Sequence, residues 1–395
     1  MPRSSYQDVK KRIEDSIIYR DFTKKEKIYL FFSGLGSRAF YLLLTFLIFA
    51  NNYDLVDMVE KVAIGMNYFI SGQNPYGKWY FLHAGLSGLS SWWYIDFFYQ
   101  YPPLSFIAYL PTLLYPNSMY PMDFRPSFFI MNLCIDAYVY YRMVKYGIRW
   151  PAVIFWFNPL FGMLLDFNNI ISLPLLFLTL GLINQDKPRK NALYLGLATL
   201  SYTYSIIVLA FFFFHYLNKE NIKQFFIGLL IPLGIFGIFL IWNPMAFISN
   251  LFFSQFGHPP YSFENTPYAI PVLHIASIPT YFYTYIKPYE PTIYLASVGL
   301  IPWINGYSGI WWGGPIITPY LYIGIFVISA YLIFSYFKYH QKDMFYTIGF
   351  PFIILALLVL STPGGYGHYS VIPLAVAVFG WRWKENREKN KQKQA

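Results

Sequence analysis

Charged residues are scarce in this sequence, since Asp, Glu, Lys and Arg make up only 12% of its 395 residues. A soluble globular domain carries about a quarter. Several uncharged runs reach or approach the roughly 20 residues that cross a bilayer as a helix. Such apolar runs are Phe40–Ala50, Ile170–Ile183, Leu193–Leu217, Phe225–Trp242, Leu321–Phe337 and Tyr346–Leu360. The shortage of charge argues against a soluble fold and favours a multi-pass membrane protein.

Cysteine is also scarce, and we expect no cleavable signal peptide. The single cysteine, Cys134, excludes an internal disulfide. The first 27 residues are polar and of mixed charge, too long and too acidic for the start of a signal peptide. We therefore predict that residues 1–27 form an amphipathic helix on the cytoplasmic membrane surface.

Basic residues outnumber acidic ones, giving a net charge of +10, but they stand in short clusters between the apolar runs. With the N-terminus inside, only Lys61, Lys78, Arg125 and Lys287 of the 29 Lys and Arg fall outside, which leaves 25 inside. Such a split is typical of charges that set membrane topology. We predict a multi-pass protein of the cell membrane with both termini cytoplasmic and no nucleic-acid partner.

The expected fold is all-α, a single transmembrane domain over residues 1–395 with about 10–12 spans. The assigned spans are 28–50, 126–142, 151–165, 170–184, 191–203, 205–218, 224–242, 315–337, 344–360 and 369–381. Two long segments, 51–125 and 243–314, lie outside, and 382–395 is a basic cytoplasmic tail. The first outside segment should carry a helical start, a turn at Gly72–Gly77 and a juxtamembrane helix over Leu104–Tyr115.

Two charges fall in the interiors of predicted spans. Arg38 is expected to snorkel or to mark the inner end of its span. Asp136 is either a buried structural partner or part of a transport path.

Unusual polar residues collect at the outer ends of the spans, where such groups usually line a cavity or an aqueous mouth. Each one alone is equally compatible with a solvated loop. Asp54 and Asp57 stand about one helical turn apart, so they can face one site as a general base or a metal ligand. The collected residues are Asp54, Asp57, Glu60, Asp96, Asp123, Arg125, Asp166, Asn168, Asn169, His258, Glu264, His274, Glu290 and His368.

Taken in chain order, several short motifs form a recognisable series. They are Gly72-Gln73-Asn74-Pro75-Tyr76, Tyr101-Pro102-Pro103-Leu104, Asn158-Pro159 with Asp166-Phe167-Asn168, and Thr362-Pro363 with His368-Tyr369. The series resembles the GT-C superfamily of membrane glycosyltransferases. The nearest likeness is to polyprenyl-phosphate-mannose-dependent mannosyltransferases and, more distantly, to GPI mannosyltransferase I. Two departures are the replacement of Gly-Gln by Asp166-Phe167, and Tyr202-Thr203-Tyr204 where the family often has Lys-x-x-Pro.

The resemblance implies transfer of a hexose from a polyprenyl-phosphate donor in the membrane lipid to a glycan, lipid or protein acceptor on the extracytoplasmic face. Mannose is the expected sugar. Asp57 or Asp54 would be the general base, and Arg125 and His368 would bind the donor phosphate. A divalent cation, Mg²⁺ or Mn²⁺, is compatible with this chemistry, with its ligands unassigned. The predicted substrate-binding residues are Asn74, Tyr76, Tyr101, Asp166, Asn168 and Tyr369.

Two other functions stay open at this point. A transporter or flippase of lipid-linked sugar would place charges near the membrane midplane and contain broken helices. A non-catalytic subunit would keep the GT-C-like fold without the chemistry.

Overall fold

The computed structural model describes residues 22–49, 57–77, 79–85, 92–99, 101–114, 125–158, 170–217, 219–248, 251, 375–376 and 378–379. Its longer helices are α1 (Lys24–Phe49), α2 (Asp57–Ile70), α4 (Arg125–Tyr146), α5 (Trp150–Phe157), α6 (Ser172–Ile183), α7 (Pro188–Ser201), α8 (Ile206–His215) and α9 (Lys219–Trp242). Shorter elements are α3 (Leu104–Ile107), α10 (Pro244–Ile248) and 3-10 turns at Pro75–Gly77, Leu110–Leu114 and Thr203–Ser205. The predicted helical class is confirmed for this part of the chain.

One β-hairpin departs from an all-α fold. Strand β1 (Trp79–Gly85) pairs antiparallel with β2 (Trp92–Phe98), with Trp79 opposite Phe98 and Gly85 opposite Trp92. The segment is rich in aromatic residues, which favour strands over helices. It lies within the first predicted outside segment.

Helices α1, α4 and α9 agree with the spans predicted at 28–50, 126–142 and 224–242. The span predicted at 151–165 is shorter as a helix, because α5 ends at Phe157 and Asn158 is extended. A residue that precedes proline disfavours helical backbone, and Pro159 follows here. The predicted juxtamembrane helix is broken into α3 and the turn at Leu110–Leu114.

Among the described residues, α9 is the one helix that is both long and apolar enough to cross a membrane. Helix α6 and the Leu104–Leu114 segment are apolar but shorter. One such helix also occurs in the cores of soluble proteins, so the number of spans and the cellular location stay predictions. The spans predicted beyond 315 lie outside the described residues, apart from four helical positions at 375, 376, 378 and 379.

A capping box fixes the start of α1. The Thr23 amide donates to Glu26 Oε2 at 2.7 Å, and the Glu26 amide donates to Thr23 Oγ1 at 3.2 Å. Each side chain thus satisfies a backbone donor that the first helical turn leaves open. The neighbouring Phe22 ring packs edge-on against Trp150, 5.8 Å between centroids, which ties this helix start to the start of α5.

Small residues let α7 and α9 approach closely. A Cβ atom on Gly228 would lie 2.1 Å from the Arg189 carbonyl oxygen, and one on Gly196 would lie 2.6 Å from the Pro232 ring. Small residues at a crossing let two helix backbones approach closely, which is common between helices within membranes. Because the contacts advance in the same direction along both helices, α7 and α9 run parallel.

Candidate functional site

The turn at Asn74–Tyr76 and the segment Tyr101–Leu104 touch directly. The Tyr76 hydroxyl donates to the Tyr101 carbonyl at 2.7 Å. The Tyr76 amide donates to Asn74 Oδ1 at 2.9 Å, an Asx turn that fixes the local backbone. Both tyrosine side chains are buried. Two of the motifs singled out in the sequence are therefore parts of one packed unit.

Tyr99 reinforces this unit from the other side. Its hydroxyl bonds to Ser105 Oγ at 2.6 Å, and Ser105 Oγ donates onward to the Pro102 carbonyl at 2.5 Å. Burial raises the pKa of Tyr99 and outweighs the Ser105 hydrogen bond, which lowers it, so the phenol stays neutral. A Cβ on Gly65 would lie 2.7 Å from the Tyr99 ring, so α2 requires glycine at this crossing.

A set of six rings, the aromatic cluster, joins this unit to α9 and α10. Tyr76 meets Phe247 with centroids 4.7 Å apart, and Phe106 meets Phe239 at 5.6 Å, both edge-to-face. Edge-to-face pairs are a favoured ring geometry and add to the stability gained from burial. The members of the aromatic cluster are Phe69, Tyr76, Tyr99, Phe106, Phe239 and Phe247.

At the opposite end of α9, residues in or beside the turns predicted to be cytoplasmic contact one another. Gln185 Nε2 donates to the Tyr146 hydroxyl at 3.5 Å, the Tyr216 hydroxyl donates to the Gln185 carbonyl, and Tyr146 packs on Phe379. We call this region the basic end, because the sequence nearby contains Lys145, Lys187, Arg189, Lys190 and Lys219. From Lys219 to Phe239 the helix rises about 30 Å, close to the thickness of a bilayer core.

The first residues of α2 and α4 are two predicted site residues. Asp57 begins α2, and Arg125 begins α4. The start of α4 is tied to the Leu110–Leu114 turn by Tyr109, whose hydroxyl donates to Asn132 Oδ1 at 2.5 Å and whose ring stacks on Phe128 at 4.8 Å. Arg125 therefore starts its helix at the end away from Tyr146 and the basic end.

Five predicted site residues lie outside the described residues. They are Asp54, Asp166, Asn168, His368 and Tyr369. Of the others, Asn74, Tyr76 and Tyr101 are brought together. Asn74 Nδ2 is buried and, in the described part of the chain, has no hydrogen-bond partner, which makes it an open donor at this unit.

Helix α2 is enclosed rather than solvated. Residues 61–66 are all buried, and Lys61 is only 1% exposed. Sequence patterning placed this helix in an outside loop and did not single out Lys61. No signal in the sequence distinguishes Lys61 from a solvated lysine, because its burial follows from packing that only the structure shows.

The expectation for Arg38 is wrong. Arg38 is fully buried, and its Nη1 lies 3.2 Å from Asp136 Oδ2, also fully buried. A guanidinium enclosed among apolar side chains is tolerated only when it is paired. Asp136 is therefore the structural partner, one of the two readings that the sequence left open.

Three hydroxyls that the sequence did not single out share one end of the α6–α7 hairpin. Asn191 Nδ2 donates to the Gly181 carbonyl at 2.9 Å near the hairpin turn, and Ser172, Thr203 and Ser205 lie at the far end. Their oxygen atoms are buried and lack hydrogen-bond partners among the described residues. Buried polar groups are nearly always paired in folded proteins, so these hydroxyls are further candidates for contact with a ligand or water.

Within the described ranges, no three His, Cys, Asp or Glu side chains lie close enough together to hold a metal ion. No family model matches this chain, and neither curated proteins nor solved structures provide a match to it. Function is therefore inferred from the residues of the chain and their contacts.

Proposed function

We propose that this chain is a polytopic membrane glycosyltransferase of GT-C type. It transfers a hexose, most simply mannose, from a polyprenyl-phosphate donor to a lipid- or protein-linked glycan acceptor on the extracytoplasmic face. The observation that carries the proposal is the hydrogen bond between Tyr76 and Tyr101, 25 positions apart, which joins the two motifs most similar to that superfamily. These motifs lie at the end of α9 remote from the basic residues, as the proposed topology requires.

Exposed apolar side chains support a membrane setting. On α1, Phe32 is 63% exposed, and on α9, Leu230 and Ile241 are 64% and 83% exposed. A helix that is apolar on all sides is either enclosed by protein or surrounded by lipid. Broad exposed apolar surface of this kind is uncommon on soluble monomers.

The proposed chemistry is an inverting transfer. Asp57 or Asp54 takes the proton from an acceptor hydroxyl as its oxygen bonds to the anomeric carbon of the sugar. The bond from that carbon to the donor phosphate breaks, and the electron pair leaves with the polyprenyl phosphate. Arg125 and His368 stabilise the charge on that phosphate.

The packed motifs then act as the frame of the substrate site. Tyr76 and Tyr101 hold the turn and the start of α3 together, and the open Nδ2 donor of Asn74 is suited to a sugar hydroxyl. Asp166, Asn168 and Tyr369 complete the proposed substrate contacts.

The test is label transfer by purified protein, supplied with polyprenyl-phosphate mannose labelled in the sugar and a panel of glycan acceptors. We expect Asp57→Asn or Asp54→Asn to abolish transfer without loss of folded protein. Asp186→Asn, which replaces an exposed acid beside the basic end, serves as the matched control and keeps activity. Full transfer by both Asp54 and Asp57 variants removes the proposed base.

Translocation of a lipid-linked sugar is the second candidate, favoured by one observation. Helix α5 is short and ends in an extended residue, as expected of a transporter with a broken helix. Movement of labelled lipid-linked sugar across proteoliposomes without transfer to any acceptor selects this function over the first.

A further inference from the structure

Helix α5 stops part-way along its neighbours. Its eight residues, Trp150–Phe157, rise about 12 Å, less than half of a typical bilayer core of about 30 Å. Asn158 then turns extended, with φ −69° and ψ 120°. The Phe155 carbonyl accepts from the Asn158 amide at 3.3 Å. The carbonyls of Trp156 and Phe157 are the last of the helix and need donors from elsewhere.

Helix α1 supplies these donors from a single turn. Arg38 Nη2 donates to the Phe155 carbonyl and Arg38 Nε to the Trp156 carbonyl, both at 2.9 Å. The Tyr41 hydroxyl donates to the Phe157 carbonyl at 3.1 Å. One helix thus caps the C-terminus of another through side chains.

The crossing of α1 and α5 is also fixed by packing. Trp156 Nε1 donates to the Phe31 carbonyl at 3.0 Å, and a Cβ on Gly34 would lie 2.0 Å from the Trp156 ring. Neither helix can therefore slide along the other without losing these contacts.

Asp136 makes this arrangement electrically neutral. Its Oδ2 forms an ion pair with Arg38 Nη1 at 3.2 Å, while Arg38 Nε and Nη2 donate to the two carbonyls. The planar fork of arginine suits several fixed acceptors at once, whereas lysine offers one compact charge.

The two helices joined at Arg38 lead to different parts of the proposed active site. Helix α1 ends at Phe49, shortly before Asp54 and Asp57, and α5 ends at Phe157, before Asp166 and Asn168. We propose that Arg38 is a positioning residue that sets the register of α1 against α5, the helices that precede the proposed general base and the proposed substrate contacts in the chain. This inference rests on the proposed function, and Arg38 itself touches no substrate.

The test compares Arg38→Met combined with Asp136→Leu, which removes both charges together, with the wild type. Arg38→Lys is a second variant that keeps a charge beside Asp136 and serves if the double variant does not fold. Arg142→Met is the control, because the contacts of Arg142 within the described part of the chain are local ones with Tyr138 on α4. Each is made in a Cys134→Ser background with spin labels on cysteines introduced at two exposed positions, Leu43 on α1 and Ile154 on α5.

We expect the distance distribution between the labels to shift or broaden by several ångström in the Arg38 variants and to stay unchanged in the Arg142 control. A misplacement of about 1 Å can slow a reaction about a hundredfold, so kcat should fall at least about tenfold while KM changes little. Label distances equal to wild type in a folded Arg38 variant overturn the inference, as does an altered distance with unaltered kcat. If the wild type transfers no sugar, the proposed function fails, yet the label distances still decide whether Arg38 sets the register.

Discussion

Replacing Tyr76 by phenylalanine removes one oxygen atom and leaves the ring that packs against Tyr99 and Phe247. The change therefore isolates the hydrogen bond to the Tyr101 carbonyl, 2.7 Å long and wholly buried. A buried neutral hydrogen bond contributes about 0.5–1.5 kcal/mol net, and an acceptor left without its donor adds a desolvation cost. We expect the free energy of unfolding to fall by about 1–2 kcal/mol.

The assay is chemical unfolding of the detergent-solubilised protein, followed by tryptophan fluorescence. Tyr29→Phe is the matched control, because Tyr29 is 72% exposed, and it should stay within about 0.5 kcal/mol of wild type. The same Tyr76 variant should transfer sugar more slowly, since the Asn74 turn is no longer held to the segment that begins at Tyr101. If Tyr76→Phe matches Tyr29→Phe in stability, the hydrogen bond does not join the two motifs, and the reasoning fails.

Three further results are expected from the same unfolding assay. Gly65→Ala should cost about 1–3 kcal/mol, because the new methyl meets the Tyr99 ring at 2.7 Å, whereas Gly36→Ala, with open space around it, should not destabilise. Ser172→Ala should stabilise by up to about 1 kcal/mol if its buried hydroxyl is unpaired, and Ser201→Ala, whose hydroxyl bonds within its own helix, should not. Burial raises the pKa of Tyr99 in the folded state above its ordinary value of 10.0. The contribution of Tyr99 to the free energy of unfolding is therefore constant below pH 10.0. Above pH 10.0 the free energy of unfolding should fall, because the phenol ionises in the unfolded chain, and the fall should be smaller in Tyr99→Phe.

Helix positions were predictable where one apolar run matches one helix. The runs behind α1, α4 and α9 are bounded by charges or polar turns, so composition alone located them within a few residues. The predicted span 151–165 missed the early end of α5, because the sequence stays apolar beyond Phe157. Apolar character alone does not indicate where a helix ends. The Asn158-Pro159 pair is the local signal that could have revealed it.

The hairpin was missed for a different reason. Its strands consist of aromatic and apolar residues, such as Trp79-Tyr80-Phe81, within a chain that is 23% aromatic. In such a background, strand-favouring residues also suit the interfacial belt of a membrane protein. Composition therefore did not separate the two readings.

Part of the candidate site could be predicted from motif order. The contact between the Asn74–Tyr76 turn and the Tyr101–Leu104 segment joins two motifs that the sequence analysis assigned to one site. The Arg38–Asp136 pair could not be predicted, because each residue is a lone charge in its own apolar run and only the packing of α1, α4 and α5 makes them partners. Buried hydroxyls without a partner among the described residues, such as that of Ser172, cannot be identified from a sequence, where every serine has the same bonding capacity.

Single-turnover transfer in proteoliposomes tests the central claim most directly. The protein is reconstituted with polyprenyl-phosphate mannose labelled in the sugar, and acceptor is added only to the face opposite the basic end. The account predicts labelled acceptor with wild-type protein and none with at least one of Asp54→Asn and Asp57→Asn. Two results contradict the account. One is donor that crosses or stays in the bilayer while no acceptor is labelled, and the other is equal labelling by all three proteins.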